Sequence, residues 1–288
     1  MIGAFKIGFM ASGSYDAMEA AVVCDSLRNI GYDSVEWPCR RVSPVINAPA
    51  GIKALVETTK RSGLAVSEAV VQEDLIKLDA QDRKRSADFV CRCINELPEC
   101  GITTINLFTG PAPWGDNPVI IGKDIKQGDA WGMLFDAFDI FVPLAEKSGM
   151  TLALENVWGM VANDFFTAKH LVSRYNSTRF GVNYDPSHDV LRGHADVGWI
   201  VRQWGSDIKH IHLKDAAGRQ ENGAFVFPLL GEGHVDWDGF FQAVSDIGYG
   251  GYMSVEFESF AYLEQILAGD MEEAARISFG ALKQLILK

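Results

Sequence analysis

The sequence has no excess of positive charge. Its 26 lysines and arginines stand against 38 acidic residues, a formal net charge of −12 over 288 residues. Nucleic-acid affinity comes largely from Lys and Arg neutralising phosphates, so a general nucleic-acid binder is excluded, while a small anionic substrate is not. No apolar run reaches membrane-spanning length. The apolar start, Met1–Met10, lacks a basic segment followed by a long apolar one and reads as a first strand, not a signal peptide. The five cysteines, Cys24, Cys39, Cys91, Cys93 and Cys100, show no zinc-ribbon spacing. Cys91 and Cys93 sit in a helical pattern, where residues two apart point to different faces. Reduced thiols of a cytoplasmic protein are the expectation. No G-x-G-x-x-G follows the first strand, and no low-complexity linker divides the chain.

What is present is an alternation of strands and helices. Apolar runs predict strands at 5–10, 34–37, 64–71, 103–108, 151–155, 180–185, 208–213 and 252–257. Helical spacing predicts helices at 14–30, 52–62, 79–99, 130–148, 165–175, 197–204, 237–247 and 263–287. About eight of each is the count of an α/β (β/α)₈ TIM barrel, here as a single domain over residues 1–288. A doubly wound sheet would also alternate, but it lacks its glycine fingerprint here. The loop 109–128 is long for a barrel connection, which suits a lid or binding loop. Trp114 near its middle either stacks on a sugar face or anchors the loop on the rim.

Four of the late strands end on a residue that can ligate a metal. They are Thr151-Leu-Ala-Leu-Glu155, Gly181-Val-Asn-Tyr-Asp185, His210-Ile-His212 and Tyr252-Met-Ser-Val-Glu256. The C-terminal ends of the strands are where such a barrel places its chemistry. Each residue alone would read as a rim carboxylate, a turn aspartate or a solvent-facing glutamate. Together on one rim, three carboxylates repel, and a divalent cation is the simplest compensation. Glu155, Asp185, His212 and Glu256 form a mostly oxygen donor set. It suits one Mn²⁺ ion first, with Mg²⁺, Co²⁺ or Zn²⁺ as alternatives.

These segments, with Asp185-Pro-Ser-His188, His210-Ile-His-Leu-Lys-Asp215 and Gly231-Glu-Gly-His-Val-Asp-Trp237, resemble the xylose-isomerase-like barrel superfamily. The likeness is closest to its sugar-phosphate isomerase/epimerase branch, which includes ketose 3-epimerases and inosose dehydratases. The resemblance implies one divalent metal on Glu155, Asp185, His212 and Glu256. It makes Glu155 and Glu256 the catalytic pair that removes and returns a proton next to a carbonyl, through an enediolate stabilised by the metal. It implies substrate contact for His188. Lys214 is within reach of a substrate oxygen, and Asp215 is expected to pair with a neighbour. Arg219 lies one position away from a substrate-binding arginine of the epimerases and is carried as a candidate. His210, two before His212, is expected to be a packed barrel histidine. The epimerases carry a further glutamate where this chain reads Asn156-Val-Trp-Gly-Met-Val161, and the extra zinc ligands of the endonuclease branch are absent.

The expected function is isomerisation or epimerisation of a sugar or cyclitol. A dehydratase or lyase acting on an inosose or 3-keto sugar is the first alternative, and a non-catalytic sugar-binding barrel is a reading of another class. The loop Phe257-Glu-Ser-Phe-Ala261 has no glycine and carries a carboxylate, which predicts an unphosphorylated substrate. The expected partners are a small-molecule substrate and further copies of the chain, in a homo-oligomer (dimer or tetramer).

Overall fold

A computed structural model describes residues 5–114, 117–193 and 196–287. Eight parallel strands close into a ring. They are β1 (Lys6–Met10), β2 (Ser34–Trp37), β3 (Ala65–Val70), β4 (Thr104–Leu107), β5 (Thr151–Glu155), β6 (Phe180–Tyr184), β7 (Ile208–Leu213) and β10 (Tyr252–Val255). Their order round the barrel is β1-β10-β7-β6-β5-β4-β3-β2. Two short strands, β8 (Ala217–Arg219) and β9 (Ala224–Val226), form a separate antiparallel hairpin in the connection after β7. The sequence pattern did not reveal this hairpin, because three-residue strands carry too few alternations to count.

Alternation along the strands explains the closure. Ile7, Phe9, Val35, Leu152, Leu154, Val182, Ile211, Leu213, Met253 and Val255 are all buried and alternate with the residues that point into the ring. They pack under the helices; Phe138, for example, stacks on Phe180 with ring centroids 5.0 Å apart. Among the described residues six helices begin on an aspartate that accepts backbone N–H groups: Asp79, Asp164, Asp185, Asp196, Asp236 and Asp270.

Inside the ring the side chains are polar. Ser34, Glu36, Ser67, Glu68, Asn106, Glu155, Asn183, His210, His212, Ser254 and Glu256 are all buried. Barrels are more often filled by layers of branched apolar residues. At Gly8 a Cβ would collide with the hydroxyls of Ser34 and Ser254, so a larger residue would have to displace both.

Two predicted helices are broken. The expected 14–30 helix is a 3₁₀ turn, Gly13–Ala17, followed by α1 (Ala20–Ile30). The expected 263–287 helix is two, Phe260–Gln265 and Met271–Ile286. Between them Ala268 and Gly269 take left-handed φ of 52° and 82°, and Asp270 caps the second helix. Among the described residues no helix is long and apolar enough to cross a membrane. The loop 109–128 is present, but its residues 115 and 116 lie outside the described ones.

Asp189 lies in the short helix Pro186–Leu191 and is buried. Its carboxyl is pushed up to about 7 by burial and by the charge of Asp164. The native state therefore holds a proton that the unfolded chain has released, and stability falls as pH rises from the ordinary aspartate range through 7. Asp189→Asn should raise stability at pH 8 by an amount on the order of a few kcal/mol, and by far less at pH 4. Thermal melts of both proteins at the two pH values check this. A gain equal at both would count against it.

Candidate active site

The ends of β5, β6, β7 and β10 bring Glu155, Asp185, His212 and Glu256 together. One donor atom from each lies within 4.8 Å of the others, and all four residues are buried. The imidazole of His212 is the centre of the group. Its Nδ1 is 3.1 Å from Glu155 Oε1 and 3.3 Å from Glu256 Oε2. Asp185 divides its two oxygens. Oδ1 accepts the Ser187 N–H at 2.8 Å and caps the short helix, while Oδ2 faces the cluster. Asp185 Oδ2 makes no hydrogen bond of good geometry, although Lys214 Nζ is 3.0 Å away. Opposite charges attract without alignment, so the two form an ion pair.

Three carboxylate oxygens and one imidazole nitrogen, their donor atoms within 4.8 Å of one another, fit a divalent cation. With Nδ1 as ligand, the proton of His212 sits on Nε2 and is donated to Glu36, whose oxygens are 3.1 and 3.3 Å away. Glu36, on β2, is a residue that sequence reasoning missed. Burial alone would lower the His212 pKa. Glu36, Glu155 and Glu256 outweigh it and hold the imidazole well above its usual value.

The two glutamates are held differently. Glu155 Oε2 accepts from Gln72 Nε2 and Asn106 Nδ2, both at 2.9 Å. Burial pushes its carboxyl up, but His212, His188 and Lys214 overcome that and keep it well below the usual range. Glu256 instead leans on the ammonium of Lys214. Lys214 is itself buried; burial would lower its pKa, and Asp185, Glu256 and Glu258 drive it well above the ordinary lysine value. Its Nζ also contacts Glu258 at 2.9 Å and His188 Nε2 at 3.4 Å. Glu258 therefore points inward, two positions after Glu256 on the same side. Period two at a strand end was the signal that could have found it.

A cavity of about 380 Å³ opens over this cluster. Glu155, His188, Lys214, Glu256 and Glu258 form its polar floor, and Trp114, Trp158, Phe227 and Phe260 its walls. Trp114 is half exposed and lies against Phe108 and Trp158, so it both lines the cavity and anchors the loop. His188 approaches Asp185 Oδ2 at 3.3 Å and Glu155 Oε1 at 3.5 Å. Arg219 is not brought here. It sits in β8 with its guanidinium against Gly193 and is not among the residues that line the cavity. Asp215, expected to pair with one neighbour, is a hub. It accepts the N–H groups of Ala216, Gly231, Gly233 and Val235 and the indole N–H of Trp237, at 2.9–3.1 Å.

Comparison with known proteins follows the same line. The inosose dehydratase of Clostridium perfringens (strain 13 / Type A) is 25% identical over 158 residues, 50% of this chain and 52% of that protein. The chain thus spans about half the length of the curated relatives it matches. A crystal structure of D-psicose 3-epimerase with D-fructose superposes with a TM-score of 0.73 at 17% identity, over 97% of both chains. The IolI protein, solved with a bound zinc atom, superposes with a TM-score of 0.76 at 17% identity, over 98% of both. At that identity the likeness is one of fold. The sequence profile of a single family covers residues 24–285, nearly the whole barrel together with the cluster at its mouth, and the chain belongs to that family, the xylose isomerase-like TIM barrels.

Proposed function

We propose that the chain is a divalent-metal-dependent enzyme that removes a proton next to the carbonyl of a sugar or cyclitol, in an isomerisation or epimerisation. The observation that carries this is the pair Glu155 and Glu256, 3.1 and 3.3 Å from His212 Nδ1 at the floor of an aromatic-walled cavity. A cation on Glu155, Asp185, His212 and Glu256 would polarise the substrate's oxygens and stabilise developing negative charge. Trp114, Trp158, Phe227 and Phe260 offer flat surfaces to the C–H faces of a ring. His188 and Lys214 reach the same space and orient hydroxyls.

Of the two glutamates, Glu256 is the one whose neighbours can relay a proton. Its neighbour Lys214 carries exchangeable protons and connects it to Glu258 and His188. Glu155 is fixed by two amides, which relay no proton. The same asymmetry favours a second reading, a dehydratase. There Glu256 takes the proton, and the Lys214–His188 pair donates one to a departing β-hydroxyl. The inosose dehydratases among the relatives support it. The substrate is read as unphosphorylated. Lys214, the lysine lining the cavity, already faces Asp185, Glu256 and Glu258, so a phosphate dianion would have to displace a carboxylate.

The test is a panel of ketoses, inososes and 3-keto sugars, with terminal phosphates as a separate arm, incubated with Mn²⁺ in D₂O. Deuterium uptake at unchanged product mass (apart from the label) indicates the isomerase, and loss of water the dehydratase. Chelation should abolish both. A protein that exchanges no substrate proton with metal present is a binder, and the proposal fails. A hundredfold preference for a phosphate, about 2.7 kcal/mol, would overturn the reading of the substrate.

A further inference from the structure

Below the mouth of the barrel lies a second group of ligating side chains, used in no step above. Glu36 and Glu68 are partners on the adjacent strands β2 and β3, where a register shift between Val35 and Glu36 sets them side by side. His210 reaches them across the interior from β7. Its Nε2 is 2.9 Å from the Ser254 hydroxyl, 3.2 Å from Glu36 Oε2 and 3.8 Å from Glu68 Oε2, so a cation there would displace the serine contact. All three residues are at most 1% exposed. Neither oxygen of Glu68 has a hydrogen-bond partner, although the group is fully buried and aimed into the cluster. Among the described residues, the basic groups paired with Glu36 and Glu68 are His210 and His212, with no lysine or arginine.

We propose that Glu36, Glu68 and His210 form a second divalent-cation site in the barrel interior, suited to zinc and separate from the one at the mouth. The spacing fits. A tetrahedral zinc with bonds of about 2.0–2.2 Å holds its donors roughly 3.3–3.6 Å apart, which the observed separations bracket. The charge fits as well. Two carboxylates and a neutral imidazole around a dication sum to zero, which a low-dielectric interior tolerates far better than two bare carboxylates. His212 joins the two sites without belonging fully to both. Its Nδ1 faces the mouth, and its Nε2–H is directed at Glu36 Oε1, 3.1 Å away. Glu36 is then left to ligate through Oε2. The inference does not depend on the reaction proposed above, since it concerns only what the interior binds.

The experiment counts metal. The full chain is produced with zinc in the medium, dialysed without chelator and analysed by elemental mass spectrometry and native mass spectrometry. About two zinc ions per chain are expected. Asp185→Asn touches only the mouth and should retain about one. Glu68→Gln touches only the interior and should also retain about one. Anomalous diffraction of the wild type at the zinc edge should place one peak among Glu36, Glu68 and His210, and this decides the matter even if Glu68→Gln fails to fold. No anomalous peak among Glu36, Glu68 and His210, or a Glu68→Gln protein that holds as much zinc as the wild type, overturns the second site. Loss of the mouth ion alone would count against the proposed function and leave this inference standing.

Discussion

Glu256→Gln should remain folded and lose substrate proton exchange by about 10²–10⁴-fold, the usual contribution of a positioned acid or base. The substitution keeps the side chain's size and removes its charge and basicity. Lys214 keeps Asp185 and Glu258 as partners, so the buried ammonium is not stranded. A melting curve close to wild type together with deuterium uptake near background is the expected pair of results. Glu155→Gln is the informative companion. It leaves Glu256 and Lys214 in place but loosens Asn106, Gln72 and His212, so it should reduce metal content more than Glu256→Gln does. Wild-type exchange rates in Glu256→Gln would sink the assignment of the base.

The largest loss of stability is expected for Asp215→Ala. One buried carboxylate there satisfies four backbone N–H groups and one indole N–H, drawn from residues 216 to 237. Hydrogen bonds to a charged group contribute about 1.5–3 kcal/mol each, and donors left buried and unpaired cost more than a neutral swap would. These bonds share one acceptor, so the total is less than their sum, and a loss of about 4 kcal/mol or more is expected. Gly233 packs so closely on this carboxylate that a Cβ there would collide with it. Denaturant unfolding read at constant slope measures the effect. A loss below about 1 kcal/mol would show that water replaces the carboxylate and that the hub is dispensable.

The eight barrel strands were legible because each is a short apolar run. Four of them ended on a residue able to ligate a metal, which is a local pattern, and the structure brings Glu155, Asp185, His212 and Glu256 together. Lys214 was legible by its place next to that set. Glu36 and Glu68 were not, because Ser34-Val-Glu-Trp37 reads as an ordinary strand and its partner His212 is 176 residues away. Asp215 announced a carboxylate but not its five donors, which come from a loop with no periodic signal. Arg219 was carried from the resemblance alone, one position off, and the structure places it on a hairpin that no sequence pattern announced. The division of the last helix was written in Gly269-Asp270, a stop followed by a cap, inside a stretch whose apolar spacing ran straight through.

The polar lining of the ring has a mechanical consequence. Backbone hydrogen bonds in a closed sheet run round the circumference like hoops. The contact from His212 on β7 to Glu36 on β2 runs across the bore instead, like a spoke. A hoop of equivalent bonds tolerates slippage, since a strand displaced by one residue still finds donors and acceptors. A spoke does not. If β2 slid by one position, Val35 would turn into the bore and Glu36 would face the helices, among apolar side chains such as Leu27 and Val56 that give a carboxylate no partner. Interchangeable aliphatic layers would penalise that error far less. The charged pairs inside this barrel thus act as keys that admit a single alignment of strands far apart in the chain.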